Sequence, residues 1–341
     1  MAKIDFEHGV VDMTHGSGGR AMTDLIEQLF VVEFATKELH KGEDFAAFQV
    51  QSGRMVVSTD SHVISPLFFP GGDIGSLAVN GTINDVAMSG ANPLYLTCGF
   101  IIEQGFPLKE LKKIVQSMAN AAREAGVKVV AGDTKVVERG KGDGVFITTT
   151  GVGAVPEGID ISVSRISPGD KILVSGTLGD HGITVLSFRE SLGFHTDLVS
   201  DCAALNGLAA SMITVVPQIH CLRDPTRGGL AAALCELSDT SGFAIGIQEK
   251  SMPIKPQVRS ACELLGLDPL HVANEGKLIA ICPEEYADQL LHVMKEHPLG
   301  RDAAIIGTVL DEGESYVELE TNYGTKRLVD WPSGEQLPRI C

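Results

Sequence analysis

The placement of glycine constrains this chain more than any other feature. There are 38 glycines among 341 residues. Many stand in short runs between an apolar, strand-like segment and a helix-like one. Glycine marks places where a chain turns tightly or lets a ligand or second backbone come close. Punctuated in this way, with strand and helix patterns mixed through both halves, the chain is expected to fold as layered α/β or α+β units.

The segments follow from periodicity. Helical spacing predicts helices over Ala21 to Phe34, Ile74 to Ser89 and Leu108 to Ala125, the last stopped by Gly126. Strand-like runs are Met55 to Asp60, Leu94 to Ile102, Lys128 to Asp133 and Val145 to Val155, with a turn-rich loop from Ser65 to Gly72. In the second half, Lys171 to Ser175, Phe243 to Ile247, Lys277 to Cys282 and Ala303 to Val309 read as strands. Cys202 to Met212, Leu230 to Thr240 and Glu284 to Glu296 read as helices. Residues Pro156 to Gly169 form the expected linker. Three units follow: 1–155, 156–330, and a tail, 331–341, that lacks periodicity and is expected to be flexible and to pack little.

Composition removes some function classes. Forty-four acidic against 27 basic residues give a net charge of −17. Nucleic acid and anionic membranes are therefore not expected partners, since both need a basic footprint. The first ten residues lack an apolar signal core, and no run is long and apolar enough for a membrane span. The seven cysteines are dispersed with no CxxC pair, as in a reduced, cytoplasmic protein without a zinc site. Six sit in apolar surroundings and read as inert core thiols. The seventh, Cys341, ends the chain.

Three acids carry the first chemical signal. Asp60 and Asp133 end strand-like runs, and Asp85 sits in a helix. Carboxylates so placed suit Mg2+, which takes one or two of them together with phosphate oxygens and water. Thr59, Asn84 and Thr134 add polar groups beside them, and Lys135 a positive charge. The same aspartates serve equally well as turn and helix caps.

The second signal is a pair of glycine loops, each preceding a helix: His15-Gly16-Ser17-Gly18-Gly19 and Arg223-Asp224-Pro225-Thr226-Arg227-Gly228-Gly229. Backbone N–H groups at a helix start suit phosphate, and Arg227 adds a charge-assisted donor. Neither loop is a Walker A or dinucleotide motif, and each also reads as a plain turn and cap. His181, inside Gly179-Asp-His-Gly182, reads as a hydrogen-bonded turn residue before it reads as a base. Glu275, in Asn274-Glu-Gly-Lys277, is the candidate general base, with an ion pair to Lys277 as the alternative. A terminal thiol on a mobile arm can carry a group into a pocket and present it to a partner, provided its pKa is lowered there.

These residues in this order resemble a known family. His15-Gly-Ser-Gly-Gly19, Ser58-Thr-Asp60, Phe68-Phe-Pro-Gly-Gly-Asp-Ile-Gly75, Asn84-Asp85, Gly132-Asp-Thr-Lys135, Ser175-Gly-Thr-Leu-Gly-Asp-His-Gly182, Asp224-Pro-Thr-Arg-Gly-Gly229, Asn274-Glu-Gly-Lys277 and the terminal Pro338-Arg-Ile-Cys341 are all present. The chain resembles the HypE family of hydrogenase-maturation carbamoyl dehydratases over essentially its whole length. The resemblance implies a two-domain, PurM-like (aminoimidazole ribonucleotide synthetase-like) fold with mixed sheets and an N-terminal domain that dimerises. It implies ATP and Mg2+ as cofactors, and a partner carbamoyltransferase that loads Cys341. ATP-driven dehydration of the carbamoyl group then leaves a thiocyanate, and an iron-scaffold complex accepts the cyano group for [NiFe] hydrogenase. Under it Cys341, Glu275 and Lys135 are catalytic and Asp60, Asp85 and Asp133 hold metal. The nucleotide lies against Gly16, Gly18, Gly19, Thr59, Asn84, Thr134, Arg227, Gly228 and Gly229.

Two alternatives use the same residues. Selenophosphate synthetase, thiamine-monophosphate kinase and aminoimidazole ribonucleotide synthetase share the scaffold and its acids. The first is expected to carry a reactive residue near its N-terminus, yet there is no cysteine before Cys98. A non-enzymatic thiol carrier would use the tail alone and has no need of Lys135 or the acids.

Overall fold

The computed structural model describes residues 3–39, 45–48, 53–189, 197–332 and 339–340. Cys341 lies outside the described residues. The first half opens with a continuous helical stretch, α1 (Arg20–Leu25), a π-helical turn (Ile26–Phe30) and α2 (Val31–Phe34). Strand β1 (Met55–His62) and a two-residue ribbon, β2 (Phe68–Phe69) with β3 (Gly72–Asp73), lead into helix α3 (Ile74–Met88). Then come β4 (Asn92–Glu103), α4 (Leu108–Glu124), β5 (Lys128–Val137) and β6 (Val145–Ala154). The four long strands form one mixed sheet in the order β1-β6-β4-β5. β4 and β5 pair in parallel, as the intervening helix α4 requires, and the other pairs are antiparallel.

This sheet has one covered face and one open one. α3 and α4 cover the first, and the apolar stripe of α4, Leu111, Ile114, Val115 and Met118, is wholly buried there. Burying each such side chain is worth roughly 1.5–3 kcal/mol. Along β1 the pattern alternates: Val57, Thr59 and Ser61 point to the open face, while Ser58, Asp60 and His62 point toward the helices. Both β1 and β5 continue past their acids, so Asp60 and Asp133 lie within strands rather than at strand ends.

The linker carries one 3₁₀ turn, Val163–Arg165. Beyond it come β7 (Lys171–Val174), α5 (Asp180–Arg189), α6 (Asn206–Val215), β8 (Cys221–Arg223), α7 (Gly229–Ser241), β9 (Ile245–Gln248), α8 (Pro256–Leu265), β10 (Ile279–Cys282), α9 (Glu284–Glu296), β11 (Ala304–Val309), β12 (Val317–Glu320) and β13 (Lys326–Leu328). Seven strands form a second sheet, β13-β12-β9-β11-β7-β10-β8. Its central strands read as continuous apolar runs because both faces are covered. Ile172, Val174, Ile279 and Ile281 face α7, whereas Leu173, Ala280 and Cys282 face α6 and α9. Ala87 and Met88 of α3 enter the latter cluster, which joins the two halves.

Helices α5 and α8 and strands β8, β12 and β13 were not expected from sequence. α5 hides in a Gly-Asp-His-Gly stretch, and β8, β12 and β13 are four residues or fewer, too short for a period to register. No helix among the described residues is long and apolar enough to cross a membrane. Cys98, Cys221, Cys235, Cys262 and Cys282 are buried and Cys202 is half-buried. Burial pushes the Cys98, Cys202, Cys221 and Cys282 thiols up to about 12, and those of Cys235 and Cys262 to about 11. Held so far toward the protonated form, such thiols make poor nucleophiles, in keeping with the reading of six core cysteines.

Candidate active site

A cavity of about 500 Å³ opens where the halves meet, walled by β1 and α3 on one side and by β8, the loop after it and Glu275 on the other. Asp60 enters from β1 and Asp85 from α3. Ser58, two residues before Asp60 and so on the same strand face, donates its hydroxyl to Asp85 Oδ2 at 2.8 Å. His62 lies behind Asp60, with Nε2 3.3 Å from Asp60 Oδ2. The alignment is too poor for a hydrogen bond, and both ring nitrogens of this buried imidazole lack a hydrogen-bond partner. Asp224 and Arg227 complete the far wall.

The acids of this pocket repel one another. Burial pushes the Asp85 carboxyl up, and its neighbour Asp60 adds to the rise against the Ser58 bond. Burial beside Asp85 raises Asp224 to about 7. Glu275 is driven well above the usual carboxylate range by burial first, then by Asp201, Asp224 and Asp60, with Arg227 opposing. Burial acts on Asp60 in the same sense, yet His62 and the Ser61 amide hold it below its ordinary value. A concentration of perturbed carboxyls in a cleft marks a functional site when geometry agrees.

Glu275 sits in a tightly built wall. Its own N–H donates to Asp201 Oδ1 at 3.1 Å, while its Oε1 is buried and has no hydrogen-bond partner. Lys277 does not pair with it; Lys277 Nζ lies 3.2 Å from Asp201 Oδ2 instead. Gly276 between them is obligatory, because a Cβ there would stand 1.7 Å from the Asp201 carbonyl oxygen. Asn274 stitches the wall to its neighbours, accepting from the Gly179 N–H at 2.8 Å and donating to the Pro225 carbonyl at 3.0 Å. Gly228 and Gly229 start α7; Gly229 has φ +63° and would place a Cβ 2.5 Å from the Leu270 carbonyl, so no other residue fits.

The remaining sequence-predicted residues do not converge on this pocket. Asp133 and Lys135 lie on β5, with β6 and β4 between them and β1. Asp133 shares a row with Gly99, Thr148 and Ser61, on the open face, opposite to Asp60. The two side chains pair at 2.8 Å, and that contact holds the exposed Asp133 carboxyl below its usual range. Thr59 is the exception among these: it points to the open face and is bonded to Thr150, yet it still lines the pocket. The glycine loop rests against β5: a Cβ on Gly16 would stand 2.5 Å from the Val136 nitrogen, while Gly18 and Gly19 lie in the open. Thr134 is buried and turns its N–H to Asp133. Asn84 is occupied in joining the halves, donating to the Ala203 and Glu275 carbonyls and accepting from Leu205. Within one chain, then, Thr59, Asp60, Asp85, Arg227 and Glu275 line one pocket, and Asp133, Lys135 and the Gly16–Gly19 loop lie apart from it, on or against β5. Sequence reasoning missed Asp224, though it lies in a quoted motif, and Asp201, His62 and the positioning contacts of His181.

The end of the tail is packed. Ile340 is 4% exposed and joins the same buried cluster as Ala273, two residues before Glu275. Its carbonyl accepts from His181 Nε2 at 2.7 Å. The Arg339 carbonyl accepts from the Ser65 N–H and from Arg189, and its guanidinium pairs with Asp143. The expectation of a tail that packs little therefore fails at 339–340.

Comparison with known proteins agrees with this architecture. The model of the AIR synthase related protein N-terminal domain matches residues 42–155, and that of the C-terminal domain matches 167–320. A carbamoyl dehydratase HypE of Azotobacter vinelandii is 62% identical over 341 residues, covering 100% of both chains. The chain belongs to the HypE family of carbamoyl dehydratases. The crystal structure of a hydrogenase maturation protein HypE in complex with ATP superposes with a TM-score of 0.94 at 48% identity, covering 96% of this chain and 99% of that one. A HypE–HypF complex matches with a TM-score of 0.80 at 52% identity, covering 90% of this chain and 99% of that one. The family fold accounts for the split between the two sheets, each half carrying one of them.

Proposed function

We propose that this chain dehydrates a carbamoyl group carried on its own C-terminal cysteine. Cys341 Sγ carries the carboxamide, loaded by a carbamoyltransferase partner. The carboxamide oxygen attacks the γ-phosphorus of ATP and ADP leaves. The nitrogen gives up two protons in all, the C–O bond breaks with release of phosphate, and the product is the thiocyanate. Phosphorylation turns a poor leaving group into a good one. Glu275 takes a proton from the carboxamide nitrogen: it is buried, one oxygen has no partner, and burial with its acidic neighbours raises its affinity for a proton. Enclosure between the halves excludes the water that would hydrolyse the activated species.

One observation carries this reading. The residue next to Cys341 is buried in the apolar cluster that also takes in Ala273, two residues before Glu275, so the end of the chain is drawn into the molecule toward the segment that carries the unpartnered acid. A relative in complex with ATP and another in complex with HypF support nucleotide use and docking of a second maturation protein. The cyano group would pass to an iron-scaffold complex.

Mg2+ fits the pocket by its chemistry. Asp60 is close enough to Asp85 to raise its pKa, and the two guanidiniums of the pocket, Arg223 and Arg227, are outnumbered by Asp60, Asp85, Asp224 and Glu275. Among the described residues no group of three or more His, Cys, Asp or Glu side chains is arranged to hold a metal alone. Such a site suits an ion that keeps water and phosphate oxygens as its other ligands. Bound there, it would offset charge on the transferring phosphoryl group. Asp133, Lys135 and the Gly16–Gly19 loop reach the same nucleotide from a second copy, in a homodimer built through the open sheet face where Val57 and Ile101 are exposed. Lys135 then meets the γ-phosphate.

The test is the mass of the C-terminal peptide after incubation with a carbamoyl-loading enzyme and ATP. Gain of a carbamoyl group followed by loss of one water is expected. A peptide that keeps the carbamoyl group with ATP present identifies a thiol carrier instead.

A further inference from the structure

His181 is a buried histidine whose two nitrogens are both engaged, and one partner is unusual. Nδ1 lies 2.8 Å from Ser200 Oγ, and Nε2 lies 2.7 Å from the carbonyl oxygen of Ile340, one residue from the end of the chain. A carbonyl only accepts, so Nε2 carries the proton. The Ser200 hydroxyl, which already accepts from the Cys202 N–H at 3.1 Å, donates to Nδ1 of the neutral ring. Phe69 packs edge-on against the ring at 5.5 Å and fixes its plane. Ser200 is itself pinned, its N–H donating to the Pro70 carbonyl. The next residue, Asp201, accepts from the Glu275 N–H and pairs with Lys277. The dipeptide Ser200–Asp201 thus holds the ring on one side and the backbone of Glu275 on the other.

We infer that His181 is the positioning residue that seats the last peptide of the chain, and through Ser200 and Asp201 keeps the Cys341 cargo in register with Glu275. The inference rests on the dehydratase reading for its chemistry but not for its seating contact. When the end of the chain leaves, the Nε2 donor of His181 loses its carbonyl partner, so the seated state keeps the net gain of one hydrogen bond. The seat therefore favours the inserted state without a covalent tie, and release for loading stays reversible.

The test uses the full chain with His181→Ala, His181→Gln, whose amide keeps a donor, and Ser200→Ala. Two rates are read in the presence of ATP. One is alkylation of Cys341 by iodoacetamide, followed on the C-terminal peptide. The other is single-turnover dehydration of protein already carbamoylated. For His181→Ala, alkylation should rise about tenfold as the seated state loses one hydrogen bond. Dehydration should fall about a hundredfold as the cargo slips from its base. ATP affinity should stay as in the wild type, and loading by the carbamoyltransferase, which needs the released tail, should be no slower. His181→Gln should recover part of both effects, and Ser200→Ala should show both in milder form. Should His181→Ala misfold, Ser200→Ala carries the test. Unchanged alkylation and dehydration in a folded variant overturns the proposal, as does an equal loss of ATP affinity. Wild-type protein that never dehydrates its cargo, yet shows the alkylation difference, defeats the dehydratase reading and leaves the seat standing.

Discussion

The pocket between the halves and the seat of the C-terminus share one wall but differ in how their polar groups are satisfied. At the pocket, Glu275 Oε1 is buried without a hydrogen-bond partner, as are both nitrogens of His62 behind Asp60, and Asp85 and Asp224 carry raised pKa values. In the seat, His181 has both nitrogens bonded, and the Arg339 and Ile340 carbonyls all find donors. Native proteins rarely leave buried polar atoms unpaired. The contrast separates two kinds of region: crowded, mutually repelling acids around an open cavity, and a chain end whose backbone carbonyls are bonded into the core.

The largest effect breaks the pocket. Glu275→Gln keeps size and shape but removes the base. Single-turnover dehydration should fall by about a thousandfold, within the range for general base catalysis. ATP affinity should be retained, and the nucleotide-free protein should melt no lower than wild type, since a neutral amide replaces a carboxyl that burial opposes. Dehydration at the normal rate would mean that another group takes the proton and that the unpaired oxygen of Glu275 is unrelated to catalysis.

A second experiment asks whether the pocket is complete within one chain. Asp85 and Asp133 lie on opposite sides of the sheet scaffold, so each variant, Asp85→Asn or Asp133→Asn, should be nearly inactive alone. If the site is shared between two copies, mixing and re-equilibrating the two variants creates heterodimers with one intact site. Activity should then return to about a quarter of wild type, as expected for random pairing in a twofold dimer. Mixing without recovery would place Asp133 outside the shared site.

How much of this was legible in the sequence depended on the range of the interactions concerned. Long elements such as α4 and α9 were legible because their apolar stripes repeat within the window of one helix. The acids and the glycine loops were legible as motifs from residue type and order alone, although what forces Gly229 and Gly276 lies far off in sequence, at the Leu270 and Asp201 carbonyls. What the sequence could not give was which motifs meet. Asp60 and Asp133 look alike in one dimension, each preceded by an apolar run, and only strand order and register put them on opposite faces. Asp201 and Ser200 lie in a stretch without period, and their importance comes from contacts 74 residues away and 19 residues away. The seating of Ile340 spans 159 residues, beyond any local pattern.

The smallest effect separates the two regions by their response to acid. Burial depresses the His181 pKa below 6.5, opposed in part by Asp201 and by the bond to Ile340. Because its folded-state value is the lower one, the unfolded chain binds the extra proton first. Stability from this residue is therefore present above pH 6.5 and is lost as pH falls toward the folded-state value. His181→Gln has no proton to gain. Its stability relative to wild type should improve by about 1 kcal/mol from pH 7.5 to pH 5.5, with a slope no steeper than about 1.4 kcal/mol per pH unit. His297, also depressed by burial, titrates in both proteins and cancels in the difference. Chemical denaturation of the two proteins at the two pH values measures it. A difference that stays flat would mean that seating leaves the ring's proton affinity unchanged, and one of opposite sign, with His181→Gln losing ground as pH falls, would mean that the ring is already charged when seated and donates from Nδ1 to Ser200.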